Sequence, residues 1–524
     1  MRLVRLRRLV KHVHKAFSQG VKMDFVSKLL TSSTEHWSTF VLASIVLLVV
    51  LHFGTKHARL LRPYTHLPGP RPWPFLNRLP NLLKVRGEFH LEFDEYYKKY
   101  GKLFVMTTEN VAFGISEPEM IKQVLVKDFD SFCDRMNLFD FPAPLDSLVS
   151  MVRGDRWRRI RNVLSPSFSA LKMKRMVPLM NDACDTFMKK LEKVADKDES
   201  CDIHKFVQSL TFDVILSTAF GVKSECQTNP DDPVNVQVRD ALRLRPLSML
   251  VVVLALLLPC GKKLLSLLSP WLFQNFKGIL NVANQVISAT KEQGELSEKN
   301  LLELMLKSNT PGGKGLSDDE LAAQAIGFLL AGSDTTSMTL SLTCHYLATN
   351  PEIQEKLMGE IDAVWVDEHQ VPSYDTVREL PYLDMVIAET LRLHPVVPFL
   401  LRECTRECKV KDLTVPKQGE VFIPIYSIQR DPNIWSNPEK FDPERFSPEA
   451  KKWRDPYMYL PFGSGPRSCI GMRFANMELK LVLTRLLKKY RLEVAPDTVI
   501  PPRVKTNFIL TIDGGINVRL KSRC

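Results

Sequence analysis

The sequence predicts a mainly α body with a small β portion. Three observations carry this. Ser317, with Glu320 three residues on, forms a capping box, and the helical pattern behind it runs on until Asn350-Pro351 stops it. Strand-like runs are few and short, near residues 103–107, 111–115, 420–423 and 508–512. From about Phe75 onward no internal repeat or low-complexity tract interrupts the pattern.

Taken in order, the chain opens on a basic arm, residues 1–36, in which Arg2, Arg5, Arg7, Arg8, Lys11 and Lys15 precede any acid. Residues 37–54 are almost wholly apolar and just long enough to span hydrocarbon, which takes about 17–25 residues. Trp37 suits an interfacial anchor, and no small-residue cleavage site follows, so the segment reads as one uncleaved transmembrane helix. Lys56, Arg59, Arg62 and Arg71 outnumber Lys22 and Lys28 near its ends, which places the bulk of the chain in the cytosol. The basic arm alone would also suit a mitochondrial presequence, but the span behind it disfavours that. Residues 55–75 form a hinge stiffened by Pro68, Pro70, Pro72 and Pro74. Residues 76–524 form one helix-rich globular body. Within it, the apolar run 247–258 is too short to span and reads as a core helix or a surface element touching lipid.

Among 524 residues, 45% are apolar and 25% charged, an ordinary globular balance. The net charge of +12 fits a membrane surface or an acidic partner. Nothing in the pattern of basic and aromatic residues supports nucleic acid. Ten cysteines include no C-x-x-C pair, and Cys404 and Cys408 are the nearest two, so a disulfide scaffold is excluded and a reducing compartment fits. No histidine falls in a zinc pattern, and His394 reads as a packed turn residue.

The chemistry concentrates around Cys469. It lies between Phe462-Gly463-Ser464-Gly465-Pro466-Arg467-Ser468 and Ile470-Gly471, just before a helical run. Gly465 and Gly471 allow a sharp turn and the close approach of a flat partner. Arg467 and the helix N-terminus push the thiol toward the thiolate, the form that ligates metal. One thiolate cannot make a zinc site of about four ligands, but it can be the axial ligand of a haem. Phe462, Gly465, Arg467, Cys469 and Gly471 resemble, at matching spacing, the haem-binding loop of the haem-thiolate monooxygenases, the cytochromes P-450.

Three further segments extend the resemblance, in the family's order, over the chain from Leu67 nearly to its end. Ala331-Gly332-Ser333-Asp334-Thr335-Thr336 lies inside the long helix. Thr335 can bond back to the Ala331 carbonyl and bend the helix, and Gly332 leaves a gap one side chain deep. The segment is similar to the family's oxygen-activation motif, which implies that Thr335 hydrogen-bonds the oxygen being activated and Asp334 helps relay protons. Glu389 and Arg392, at i,i+3, share a helix face. The family implies that they join Arg445 in a buried charged cluster holding the thiolate loop. Trp157 and Arg161, at i,i+4, offer an indole N–H and a guanidinium to a carboxylate. By resemblance Arg402 and Arg467 complete a set for the haem propionates. Arg158 and Arg159, with Lys451, Lys452 and Arg454, read as a positive patch that steers an acidic electron donor. Phe132, Phe328, Ala331, Val396 and Val397 are the expected walls of an apolar substrate pocket.

The resemblance implies the prism-shaped cytochrome P-450 fold behind one transmembrane helix, haem b bound through Cys469, and monooxygenase chemistry. One oxygen atom of O2 enters a lipid, steroid or xenobiotic, with electrons from NADPH through a flavoprotein reductase, and with a small b-type cytochrome as a second donor. Ser464, Met472 and the pattern around Glu478 look like the animal microsomal branch of drug-metabolising enzymes and thromboxane synthase, in the endoplasmic reticulum membrane. A haem-thiolate isomerase that rearranges a lipid peroxide without external electrons is the alternative. Such an enzyme, or a haem carrier, needs no acid–alcohol pair, so Asp334 and Thr335 favour oxygen activation.

Overall fold

Apolar residues at three- and four-residue spacing build the longer helices: α1 (Phe89–Tyr100), α2 (Gly154–Leu164), α3 (Ala170–Ala195), α4 (Ile203–Ile215), α5 (Gly261–Leu272), α6 (Phe276–Glu292), α7 (Asp318–Thr349), α8 (Pro351–Val364), α9 (Pro381–Leu393) and α10 (Met472–Lys489). This computed structural model describes residues 51, 54–70, 88–107, 110–136, 141–229, 231–232, 236–237, 251, 261–292, 298–307, 315–367, 370–506 and 509–523. The chain divides into two units, Met1–Arg62 and Pro63–Cys524. The basic arm, the apolar span but for Leu51 and Gly54, hinge residues 71–75, and the run 247–258 but for Val251 lie outside the described residues. Among the described residues no helix is long and apolar enough to cross a membrane.

Helix α7 forms the axis of the larger unit. Ser317 caps it and Glu320 returns the bond, so the expected capping box is complete, and Pro351 ends the run by starting α8. Most of α7 is buried, because α4, α6, α9 and α10 pack around it. Ile215, at the end of α4, fills the notch at Gly332: a Cβ there would stand 2.7 Å from its Cδ1. The gap expected at Gly332 is therefore narrowed by a neighbouring side chain, while Gly332 keeps some surface.

The β portion is small. β1 (Leu103–Thr107) and β2 (Val111–Ile115) pair antiparallel, with Leu103 opposite Ile115. β2 runs parallel to β7 (Glu420–Ile423), and β7 runs antiparallel to β4 (Leu400–Glu403), giving the order β1-β2-β7-β4. Under this sheet Phe93, Tyr96, Phe104, Met106, Ala112 and Phe422 form their own cluster. Full burial of side chains such as Phe104 and Phe422 stabilises by about 1.5–3 kcal/mol each. Gly114 is needed there, since a Cβ would come within 2.2 Å of the Phe104 ring.

Residues 67–70, read from the sequence as hinge, lie along β1. The Val105 amide donates to the Pro68 carbonyl at 2.9 Å, and a Cβ on Gly69 would lie 1.8 Å from the Val105 oxygen. Smaller pairings complete the β content. β3 (Ser200–Asp202) and β8 (Tyr490–Val494) flank β11 (Asn517–Ser522), β5 (Cys408–Val410) pairs β6 (Leu413–Val415), and β9 (Val504–Thr506) pairs β10 (Leu510–Ile512).

Candidate active site

The loop before α10 turns on two left-handed glycines, Gly463 (φ +69°) and Gly465 (φ +72°). A Cβ on Gly465 would lie 2.0 Å from the Leu125 carbonyl oxygen, in a wide helical turn at Gln123–Lys127. Gly471 plays a different part from the one expected. It caps α10 with an ordinary φ of −87°, and the nearest atom to its would-be Cβ is Phe168 Cε1 at 4.0 Å. The loop closes when the Cys469 amide donates to the Phe462 carbonyl at 2.8 Å. Phe462 itself is half-buried against the main core. Cys469 keeps exposed surface yet lies deep among protein atoms, so that surface faces an internal void. Burial pushes its thiol up; the Gly471 amide, Arg161 and Arg135 pull it down. Arg467, expected to supply the cation beside the sulfur, points elsewhere.

Arg467 donates to the carbonyls of Cys133 at 2.7 Å, Val152 at 2.7 Å and Val149 at 3.4 Å. Its guanidinium lies 4.3 Å over the Trp157 ring, and the Trp157 N–H makes no protein hydrogen bond among the described residues. Arg402 is 1% exposed and, among the described residues, donates only to the Leu401 carbonyl and leaves its Nε without a partner. The Arg161 guanidinium, partly exposed, has no hydrogen-bond or ion-pair partner among the described residues. Arg135, which sequence reasoning missed, donates to the carbonyls of Ser150 and Arg467. These four guanidiniums sense one another. Burial first, then mutual repulsion, pushes Arg402 and Arg467 down to about 9. Asp134, 3.6 Å from Arg467, is the carboxylate paired with the cluster. Four cations against one anion is a large burial cost without further negative charge. The two carboxylates of a haem supply that charge, and the void at Cys469 supplies room for its ring, so the residues present fit the group.

The second predicted segment lies on α7. Gly327, Leu330, Ala331, Gly332, Asp334 and Thr335 keep surface, whereas Leu329 (2% exposed), Ser333 (6%) and Thr336 (2%) do not. Apart from Gly332, these positions are spaced i, i+3, i+4, i+7 and i+8, which is one helix face. Thr335 Oγ1 donates to the Ala331 carbonyl at 2.7 Å. The Asp334 carboxyl has no protein partner among the described residues, and burial raises it. Phe168 ties this helix to the thiolate loop: its ring meets Phe328 edge-on at 5.4 Å and faces Gly471. Of the expected pocket walls, Ala331 is exposed and Val397 partly so. Phe328 (8%) and Val396 (7%) show a margin of surface. Phe132 shows none and stands behind the wall.

Behind the loop, Glu389 and Arg392 are fully buried and joined by two bonds, at 2.7 and 2.9 Å. Arg392 also donates to the carbonyls of Gln429 and Pro438, and Arg445 Nε stands 3.3 Å from Glu389. Burial raises the Glu389 carboxyl, and Arg392 opposes that. Gln429 and Tyr459 carry the cluster to the thiolate loop. The Gln429 side chain accepts from the Leu460 amide at 2.9 Å, and the Tyr459 hydroxyl donates to the Ala388 carbonyl at 3.0 Å. Neither residue stands in a motif that marks it in the sequence.

His394 is a packed residue bonded to the Tyr346 hydroxyl at 2.8 Å. Of the expected positive patch, Arg158 pairs with Asp155 and Asp130, and Arg159 with Glu320. Arg454 lies over Trp435 and Phe446. Lys451 and Lys452 remain exposed without ion pairs among the described residues, beside Trp453, which is 91% exposed.

The chain is similar to known proteins over most of its length. The family model for cytochrome P450 matches residues 67–519. The chain is 37% identical over 515 residues to cytochrome P450 3A11 of Mus musculus, covering 96% of this chain and 99% of that protein. It is 36% identical over 495 residues to cytochrome P450 3A7 of Homo sapiens, covering 93% and 97%.

Proposed function

The chain belongs to the cytochrome P450 family and is a haem-thiolate monooxygenase, and from that premise we propose that it oxygenates lipids, steroids or xenobiotics with electrons drawn from NADPH through a flavoprotein reductase. The single observation that carries this reading is the acid–alcohol pair, Asp334 and Thr335, which keeps surface on one face of α7. Bound haem supplies the dioxygen and one-electron chemistry that side chains lack. Cys469 would hold its iron through the thiolate. Arg135, Arg161, Arg402, Arg467 and the Trp157 N–H would hold its carboxylates.

The protein's own part is positioning and proton supply. Asp334, raised by burial and unpaired, holds a proton readily and releases it toward the void. Thr335 spends its own proton on the Ala331 carbonyl, so its oxygen is an acceptor. That oxygen would accept from a water and so help pass a proton onward. Ala331 leaves open space on its helix face, and the margins of Phe328, Val396 and Val397 would present apolar surface to the substrate. Glu389, Arg392 and Arg445 keep the thiolate loop in place. The exposed Lys451 and Lys452 attract an acidic electron donor, either the reductase or a small b-type cytochrome. The apolar segment at 37–54 anchors the protein in the endoplasmic reticulum membrane with the body in the cytosol.

Turnover separates this reading from a peroxide isomerase. Product is expected only when NADPH, reductase and O2 are all present. Rearrangement of a lipid hydroperoxide at full rate without NADPH would overturn it.

A further inference from the structure

We infer that Gln324 is a positioning residue that fixes the distance between the Asp334–Thr335 face and Cys469, acting through the loop 147–152. The inference rests on the oxygenase reading above. Gln324 is 1% exposed and lies seven residues before Ala331, on the same face of α7. Its amide grips the loop twice. Nε2 donates to the Ser147 carbonyl at 2.6 Å, and Oε1 accepts from the Val149 amide at 2.9 Å. Between those bonds Leu148 drops into the notch at Gly327, where a Cβ would stand 2.6 Å from its Cδ2.

The other side of the same loop belongs to the thiolate half of the site. Arg467 donates to Val149 and Val152, and Arg135 to Ser150. The Cys469 loop and the distal helix therefore reach each other through six residues, held by a carboxamide on one side and two guanidiniums on the other. The backbone groups of this loop are spoken for from both directions, so it acts as a spacer of set thickness. Arg156 adds a bond to the Ser147 hydroxyl at 2.6 Å, which keeps the first residue of the loop from rolling.

The test uses the haem-loaded, full-length protein. Gln324→Met keeps the volume and removes both bonds. The variant is expected to retain the thiolate-ligated spectrum of the parent. Hydrogen exchange at the Val149 amide should quicken at least tenfold. Product formed per NADPH should fall about three- to tenfold as peroxide release rises, inside the roughly 10²-fold that a 1 Å misplacement can cost. Gly327→Ala presses on Leu148 from the helix side without weakening the helix, and must uncouple in the same way. It also serves if Gln324→Met fails to fold. Faster exchange with unchanged coupling, or uncoupling in one folded variant only, would overturn the inference. A parent protein that exchanges slowly at Val149 yet makes no product with NADPH would instead mean that the oxygenase reading had failed.

Discussion

Replacing Glu389 by Gln removes one charge from the interior and almost no volume. The carboxylate now takes two bonds from Arg392, one from the Asp442 amide at 2.9 Å, and a close approach from Arg445. In the variant an NH2 group meets the Arg392 guanidinium, donor against donor, with both side chains at 0% exposure. Breaking a buried pair by removing one partner costs about 3–5 kcal/mol. Arg392 keeps the Gln429, Pro438 and Lys440 carbonyls, which soften the loss, so the lower end of that range applies, about 3 kcal/mol. That is a little over two powers of ten in the folding equilibrium, at about 1.4 kcal/mol for each. Denaturant unfolding of the haem-loaded protein, followed by tryptophan fluorescence, measures it. The same samples should lose thiolate ligation at lower denaturant than the parent, because Gln429 links Arg392 to Leu460. A shift under about 1 kcal/mol, the scale of an exposed pair, would refute the reasoning.

The remaining predictions concern the void. Cys469→Ser should abolish the red-shifted Soret band of the reduced carbon monoxide complex; an unchanged band would mean another ligand. Thr335→Ala should raise peroxide release relative to product, and wild-type coupling would remove Thr335 from proton delivery. Burial lifts Asp334 above its ordinary 3.8, so the folded chain holds a proton that the unfolded chain releases first. Its contribution to stability is present at low pH and is lost as pH rises through the folded value. Asp334→Asn should therefore gain stability over the parent as pH climbs above about 4, while turning over more slowly. Thermal unfolding at stepped pH checks this, and parallel curves would refute it.

What could be read from the sequence had local causes. The limits of α7 follow from Ser317, Glu320 and Pro351, which act within a few residues of themselves. The strands at 103–107, 111–115 and 420–423 likewise declare themselves by side chain alone. Glu389 and Arg392 are legible because one helix face brings them together. Arg135, Gln324 and Gln429 were missed because each acts on backbone carbonyls or amides of a distant loop, and a peptide group looks the same under every side chain. The depth of the gap at Gly332 was not legible for a related reason. A missing Cβ shows from the sequence, but the Ile215 methyl that narrows the space arrives from another helix.

Arg135, Arg161, Arg402 and Arg467 have a consequence beyond the reaction. Crowded guanidiniums repel, so the newly made chain resists closing its own centre until a porphyrin brings the counter-ions. Capture of the prosthetic group is then expected to relieve that repulsion and tighten the fold around it.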